Sequence, residues 1–301
     1  MIRAAAIAIL ASAVLATGAQ QAPVFKTKRV SVAVYTTVKQ GNRIIANLTA
    51  ADFRLTDNGV PQTVEAVAIE SVPIDVTLFL DTSGSTAGKL DEMKRDVQGI
   101  VKLLRPADRF RLLTIGDSVY ETVRWVPAGA EIDLSFGPVG GISLIQDALT
   151  IAFLHRPDPD RRHLIVGMTD RQDCGSVVPS GLLRDLASRS EAVLHLVQQE
   201  GGGGRSSYRV RTCSPNARPE GPDFIREAAE RTGGELHTGS FFFRSSSLLR
   251  SFKRVFDDFR QSYTLRYSPE GVPAAGWHAI DVRVPAKANV TINARKGYYG
   301  S

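Results

Sequence analysis

Residues 73–85, with the sequence PIDVTLFLDTSGS, constrain the fold of this chain more than any other stretch. The apolar run at residues 76–80 predicts a strand buried on both faces, as is typical of the centre of a parallel sheet. Asp81 ends this strand, and Ser83 and Ser85 follow it. In open α/β sheets the carboxyl ends of the strands form the crevice where ligands bind. These three oxygen-bearing side chains are therefore expected at the functional edge, where hard oxygen ligands suit a divalent cation such as magnesium.

Strands alternate with helices in the pattern that follows. Apolar residues at helical spacing predict helices at residues 88–104, 144–154, 182–187, 224–231 and 248–260. Predicted strands lie between them, at residues 110–115, 118–126, 163–168, 192–197 and 235–238. Such alternation indicates a mostly parallel sheet with helices on both faces. We therefore predict an α/β, doubly wound domain over residues 73–260.

The flanking segments, residues 25–72 and 261–301, have β character without a helical period. Each is too small to form a stable sheet structure alone. We expect the two flanks to pair with each other, which would give a small β-sandwich with the α/β domain inserted into it.

The first 19 residues carry one Arg, an Ala/Ile/Leu/Val run and small residues near the end, the pattern of a cleavable secretory signal. The alternative is an uncleaved anchor helix, although the apolar run is shorter than the roughly 20 residues that span a bilayer. We expect a secreted, periplasmic or cell-envelope protein whose mature chain has no transmembrane segment. In an oxidising compartment the two cysteines, Cys174 and Cys213, are expected to form a disulfide, with free thiols as the alternative.

The composition argues against several functional classes. The formal net charge is +6 over 301 residues, and the basic residues are scattered, so no nucleic-acid footprint is indicated. No phosphate-binding loop with Lys-Ser or Lys-Thr follows the first buried strand, and the five histidines show no metal-ligand spacing.

Three predicted loops at the carboxyl edge present hydroxyl or carboxylate oxygens. The first carries Asp81, Ser83 and Ser85, the second Ser143 and the third Asp170. Two carboxylates offset the charge of a divalent ion, while hydroxyls and water complete an octahedron. A metal held in this way keeps its attraction for one more anionic oxygen, such as an Asp or Glu of a partner.

The motifs in these loops resemble those of a known family. They read D-T-S-G-S after a buried strand, G-I-S-L-I-Q-D-A-L before a helix, and I-V-G-M-T-D at a second buried strand. Together they resemble the three loops of a von Willebrand factor type A domain with its metal-ion-dependent adhesion site. The flanks, which include V-S-V-A-V and A-R-K-G-Y-Y, resemble a group of secreted bacterial proteins built on this domain.

The resemblance implies a Rossmann-like fold, a magnesium ion (or manganese or calcium) and protein ligands that bind through an acidic side chain. It assigns the metal to the five oxygen-bearing residues named above: Asp81, Ser83, Ser85, Ser143 and Asp170. Ser143 stands where the family usually has Thr, which keeps the hydroxyl. Arg171 stands where Gly is common, and it either weakens metal binding or helps to hold an acidic partner. Asp173 is either an acid just behind the ligands or a surface loop residue.

Our first functional hypothesis is a non-enzymatic, exported binding module that holds an unknown protein partner through a metal-bridged carboxylate. The second is a magnesium-dependent hydrolase or phosphatase with Asp81 as nucleophile. It needs an acid two residues further on, where Ser83 stands, and a positioned Lys or His. The third is a metal-free structural module of the cell envelope.

Overall fold

The computed structural model describes residues 31–68, 72–83, 89–137, 140–156, 158, 160–169, 173, 175–198, 223–237 and 248–300. The predicted signal at residues 1–19 lies outside the described residues, and so do Ser85, Asp170, Arg171, Cys174 and Cys213. The signal, the disulfide and the roles of these residues therefore stay predictions.

The described elements are fifteen strands, five helices and one short 3-10 turn at Ala50–Asp52. The strands are β1 (Val32–Gln40), β2 (Arg43–Ile44), β3 (Arg54–Asp57), β4 (Val60–Gln62), β5 (Ala66–Ala68), β6 (Ile74–Asp81), β7 (Arg109–Ile115), β8 (Val119–Pro127), β9 (Arg162–Thr169), β10 (Val193–Gln198), β11 (Leu236–His237), β12 (Tyr263–Tyr267), β13 (Gly276–Arg283), β14 (Thr291–Ala294) and β15 (Gly297–Gly300). The helices are α1 (Leu90–Leu103), α2 (Ile145–Phe153), α3 (Ser180–Arg189), α4 (Asp223–Thr232) and α5 (Leu248–Arg260).

The central sheet contains six strands in the order β11-β10-β9-β6-β7-β8. Every neighbouring pair is parallel except the edge pair of β7 and β8. Every residue of β6 is buried, because this strand lies between β7 and β9 and has helices on both faces. The predicted α/β, mostly parallel, doubly wound fold is confirmed.

Two apolar cores lie on opposite faces of this sheet. On one face, Val76, Leu78 and Leu80 pack with buried residues of α1 and α5. On the other face, Phe79 packs with buried residues of α2, α3 and α4. This alternation along β6 follows from the two-residue period of a strand. The phenylalanines of α5 face the first core, as their helical spacing predicts: Phe252, Phe256 and Phe259.

The flanking segments form two further sheets around one shared core, in which N- and C-terminal strands pair with each other as predicted. That these sheets form a separate sandwich domain stays a prediction. In the first sheet, of order β14-β1-β12-β5, the N-terminal β1 pairs antiparallel with the C-terminal β12 and β14. In the second, of order β15-β13-β3-β4, β3 pairs antiparallel with β13. Neither flank could build these sheets without the other.

The sandwich also contacts the α/β part directly. Buried Arg295 donates hydrogen bonds to the carbonyl oxygens of Ser188 and Ser190 at the end of α3, and Lys39 of β1 forms an ion pair with Asp258 of α5. Residues Ser31–Ser301 form one compact unit. The division into parts at residues 72/73 and 260/261 remains a prediction.

Within the described ranges, no helix combines the length and the apolar character needed to cross a membrane.

Candidate metal site

The candidate site lies where β6 leaves the central sheet. Asp81 is the last residue of this strand, and its neighbours on either side are the carboxyl ends of β7 and β9. The next residue, Thr82, stays attached to the sheet, because both its backbone N–H and its hydroxyl donate to the carbonyl oxygen of Ile115 (2.8 and 2.9 Å). The chain therefore leaves the strand along a fixed path, which orients the side chain of Asp81.

Three separate chain segments supply hydrogen bonds to the Asp81 carboxylate. Ser143 Oγ donates to Oδ2 over 2.9 Å, and Thr169 Oγ1 donates to the same oxygen over 3.1 Å. The backbone N–H of Ser83 donates to Oδ1 over 3.0 Å. All four residues are buried, with side chains at most 5% exposed. The carboxylate is therefore held in one orientation at the carboxyl edge of the central sheet.

This geometry brings three of the five predicted metal ligands together at the Asp81 carboxylate. Ser143 reaches it with its hydroxyl although it is distant in sequence, whereas Ser83 reaches it with its backbone N–H. That these residues bind a metal ion stays a prediction. Ser85 and Asp170 lie outside the described residues, so their part in the site stays a prediction.

The loop that carries Ser143 is attached at two points before it reaches the site. The backbone N–H of Gly140 donates to the carbonyl of Thr82 (3.0 Å), and that of Ile142 donates to Asp117 Oδ1 (3.0 Å). Gly141, between them, has φ of +75°, and a Cβ there would collide with the Asp117 carboxylate. Only glycine fits this position without strain. The glycine-rich run therefore brings the second loop across the end of β6.

Asp173, whose role the sequence leaves open, is half-buried and binds the start of α2. Its Oδ2 accepts a hydrogen bond from the backbone N–H of Gln146 (2.8 Å) and another from Ser176 Oγ (2.7 Å). A carboxylate at a helix N-terminus satisfies an otherwise unpaired amide and complements the helix dipole. Asp173 is thus a capping residue that joins the third loop to the second.

The chemistry of the described donors fits a hard divalent cation. One carboxylate and two hydroxyls converge, and Mg²⁺ prefers oxygen ligands of this kind, with water completing its octahedron. Among the described residues there is no group of three or more His, Cys, Asp or Glu side chains that could hold a metal ion. The predicted set contains only two acids, one of which, Asp170, is not described, so hydroxyl oxygens make up the rest.

Two residues of the site were not predicted from the sequence, Thr169 and Asp117. A signal for Thr169 does exist: it precedes Asp170, and strand alternation puts it on the same face of the sheet as Gly167, which pairs with Phe79. That face also carries Asp81. No local pattern indicates Asp117, because its partner Ile142 is 25 residues away.

No protein-family model matches the chain, and no curated protein does. Several solved structures are similar to it. An aerotolerance-related membrane protein from Bacteroides fragilis shows 14% identity, with 62% of this chain and 99% of that chain covered and a TM-score of 0.43. BatB from Bacteroides thetaiotaomicron shows 13% identity, coverage of 62% and 98%, and a TM-score of 0.41. The SpRpn10 VWA domain shows 20% identity, coverage of 60% and 93%, and a TM-score of 0.39.

The fold of the chain itself agrees with the one that the motifs imply. A central buried strand ends in Asp81, and the loop with Ser143 reaches it from across the sheet edge. The α/β part of this chain has a mostly parallel, doubly wound sheet, which is the fold implied by the resemblance of its motifs to a von Willebrand factor type A domain.

Proposed function

We propose that this chain is an exported, non-enzymatic interaction module that binds an acidic group of a partner protein through a divalent metal ion. Magnesium is the first candidate, with manganese or calcium as alternatives. The ligands would be Asp81, Ser83, Ser85, Ser143 and Asp170.

One observation carries this proposal: Ser143 Oγ lies 2.9 Å from Asp81 Oδ2, although the two residues belong to different loops. A hydroxyl and a carboxylate at this separation can share one small cation, because both oxygens can turn their lone pairs toward it. When bound, the ion would supply an electrophilic position for one further carboxylate. The chain's own residues fix the orientation of Asp81 and keep the surrounding oxygens buried.

The surroundings of the site favour a protein partner over a small anion. Three large apolar side chains are exposed in this region: Ile142 next to Ser143 (39%), Val177 in the loop that contacts the start of α2 (89%) and Tyr120 of β8, against Gly137 (37%). Exposed apolar side chains grouped around a polar centre are typical of protein interaction surfaces. The partner expected here presents a carboxylate flanked by apolar side chains.

No specific observation favours the hydrolase alternative. The groups described around Asp81 are hydroxyls and a backbone amide, and Ser83 occupies the position where that reaction needs an acid. The hydrogen-bond partners described for His155, His163 and His278 are Asp75, Thr77 and Asp57, and His195 and His237 contact each other.

Partner capture with and without a chelator tests the proposal. Immobilised protein is incubated with an envelope fraction of the source cells, washed with EDTA, and then incubated again after Mg²⁺ is restored. We expect a partner that is released by EDTA and returns with Mg²⁺, and that is lost with Asp81→Ala and Ser143→Ala.

Ser135→Ala is the matched control, because Ser135 is an exposed serine whose hydroxyl binds Asp133 rather than the site. Capture that is indifferent to EDTA and to both site variants would instead support a metal-free structural module.

A further inference from the structure

The loop that carries Ser143 and the loop that follows β9 are joined by two carboxylates, one from each segment, that accept hydrogen bonds from backbone amides of the other. Asp173, in the second of these loops, accepts a hydrogen bond from the backbone N–H of Gln146 at the start of α2 (2.8 Å). In return, Asp147 of α2 accepts hydrogen bonds from the backbone N–H groups of Val178 (2.9 Å) and Val177 (3.1 Å). Each carboxylate therefore satisfies amides of the other segment.

Ser176 connects the Asp173 carboxylate to the backbone of Asp147. Its hydroxyl donates to Asp173 Oδ2 (2.7 Å) and accepts a hydrogen bond from the backbone N–H of Asp147 (3.1 Å). Its backbone N–H donates to Asp173 Oδ1 (3.2 Å). Asp147, Asp173 and Ser176 thus form a closed network, called the loop clamp below. The hydrogen bonds join segments that are 27 to 31 residues apart in the chain.

The position of the loop clamp gives it a consequence for the metal site. Helix α2 begins two residues after Ser143, and β9 ends at Thr169, whose hydroxyl donates to Asp81. The loop clamp therefore joins the segment that follows Ser143 to the segment that follows Thr169. If it is released, the two loops lose their common attachment behind the site.

We propose that Asp147 and Asp173 are positioning residues of the metal site, which hold its second and third loops as a single unit. This inference rests on the proposed function, since it concerns affinity for the same ion. Loss of groups that orient metal ligands typically lowers metal affinity about 10- to 100-fold. If these residues only capped the helix, their substitution would change the stability of the fold and leave the affinity for the metal unchanged.

Two substitutions at one position separate positioning from charge. Asp147→Ala removes both the negative charge and the acceptor atoms. Asp147→Asn removes the same charge but keeps Oδ1, which accepts hydrogen bonds from both Val177 (3.1 Å) and Val178 (2.9 Å). Asp185→Ala is the control for a lost charge alone, because Asp185 is an exposed acid on α3. Ser176→Ala removes the connecting hydroxyl and provides a milder break if Asp147→Ala does not fold.

The experiment is calorimetric titration of the full chain with Mg²⁺, paired with thermal unfolding in EDTA. We expect a 10- to 100-fold weaker affinity for Asp147→Ala, a smaller loss for Ser176→Ala, and near-native affinity for Asp147→Asn and Asp185→Ala. Equal affinity of wild type, Asp147→Ala and Ser176→Ala would overturn the inference, and so would equal weakening by Ala and Asn at position 147. If the wild type itself binds no Mg²⁺, the proposed function fails, and this positioning role fails with it.

Discussion

The two ends of β6 each carry a buried aspartate, and the contrast between them separates a structural acid from a candidate ligand. Asp75 and Asp81 are 0% and 1% exposed and, an even number of residues apart, point to the same face of the sheet. Asp75 accepts two hydrogen bonds from Arg109 (2.8 and 2.6 Å) and one from Arg161 (2.6 Å). His155 Nε2 lies 3.2 Å from its carboxylate. Its charge is matched by cations at the amino edge.

The partners described for Asp81 at the carboxyl edge are of another kind. They are two hydroxyls and a backbone amide, all of them uncharged. Neutral donors orient a carboxylate without cancelling its charge, whereas arginines do both. The comparison teaches that burial alone does not reveal the role of an acid: the charge of its partners does.

The pKa of Asp75 follows from the same surroundings. Burial by itself raises this pKa, but hydrogen bonds from His155, Arg109 and Arg161 outweigh burial and hold it well below its usual value. Asp75 is therefore ionised at neutral pH and contributes stability that is lost only in strong acid.

The same substitution at both ends of β6 should have very different effects on stability. Asp75→Asn removes the charge that pairs with two partly buried arginines, Arg109 and Arg161, and breaking such a group costs about 3–5 kcal/mol of unfolding free energy. Asp81→Asn replaces a carboxylate held by neutral donors, and we expect a change within about 1 kcal/mol. Urea unfolding in EDTA measures both, and equal losses at the two positions would break the comparison.

A buried histidine at the amino edge should contribute to the dependence of stability on mild acid. His163 contacts Thr77 there, and its pKa lies well below 6.5 because it is buried, with further lowering by His155 and Arg111. The folded protein keeps His163 neutral, while the unfolded chain binds a proton below about pH 6.5, so stability falls as the pH drops through this value.

This group adds a slope of at most about 1.4 kcal/mol per pH unit. The difference in unfolding free energy between pH 7 and pH 5 should shrink in His163→Gln. An unchanged difference would show that His163 is not held neutral.

Two glycines provide a third comparison between core and site. Gly167 of β9 lies under the ring of Phe79, so Gly167→Ala forces a shift in the core and should cost about 1–3 kcal/mol. Gly141→Ala should strain only the Ser143 loop. Compared with Gly167→Ala, it should lower the stability of the fold less and the affinity for Mg²⁺ more. Thermal unfolding and Mg²⁺ titration of both variants test this, and the reverse ranking would contradict it.

The smallest expected effect concerns the hydroxyl that the sequence did not indicate. Thr169→Val removes one hydrogen bond to Asp81 Oδ2, worth about 1 kcal/mol, which corresponds to a several-fold loss of Mg²⁺ affinity. Thr169→Ser keeps the hydroxyl and should bind like the wild type. If Val and Ser variants bind equally well, Thr169 does not help to orient Asp81.

The sequence predicted best where a pattern is local and repeated. The apolar run of β6 and the phenylalanines of α5 indicated buried elements, and the structure confirms them. The contact of Ser143 with Asp81 was also predictable, because the loop before a helix that packs on a parallel sheet lies at the carboxyl edge of that sheet. The pairing of the two β flanks followed from their individual instability.

The remaining features depend on contacts between distant residues that no local pattern encodes. Asp173 was open to two interpretations, since a loop acid has the same sequence signature whether it caps α2 or faces solvent. Asp75 belongs to an apolar strand and gave no sign of its arginine partners, one of which, Arg161, is 86 residues away. Such partners are set by the fold, and they become visible only when the strands are in register.

The most direct test of the central claim is a crystal structure of the protein grown or soaked with Mn²⁺, with anomalous scattering recorded at the manganese edge. The account predicts one anomalous peak at the end of β6, with oxygens of Asp81 and Ser143 at about 2.0–2.3 Å from it or linked to it by a bound water. A peak elsewhere would contradict it, and so would the absence of any peak while Ser143 Oγ still lies 2.9 Å from Asp81 Oδ2.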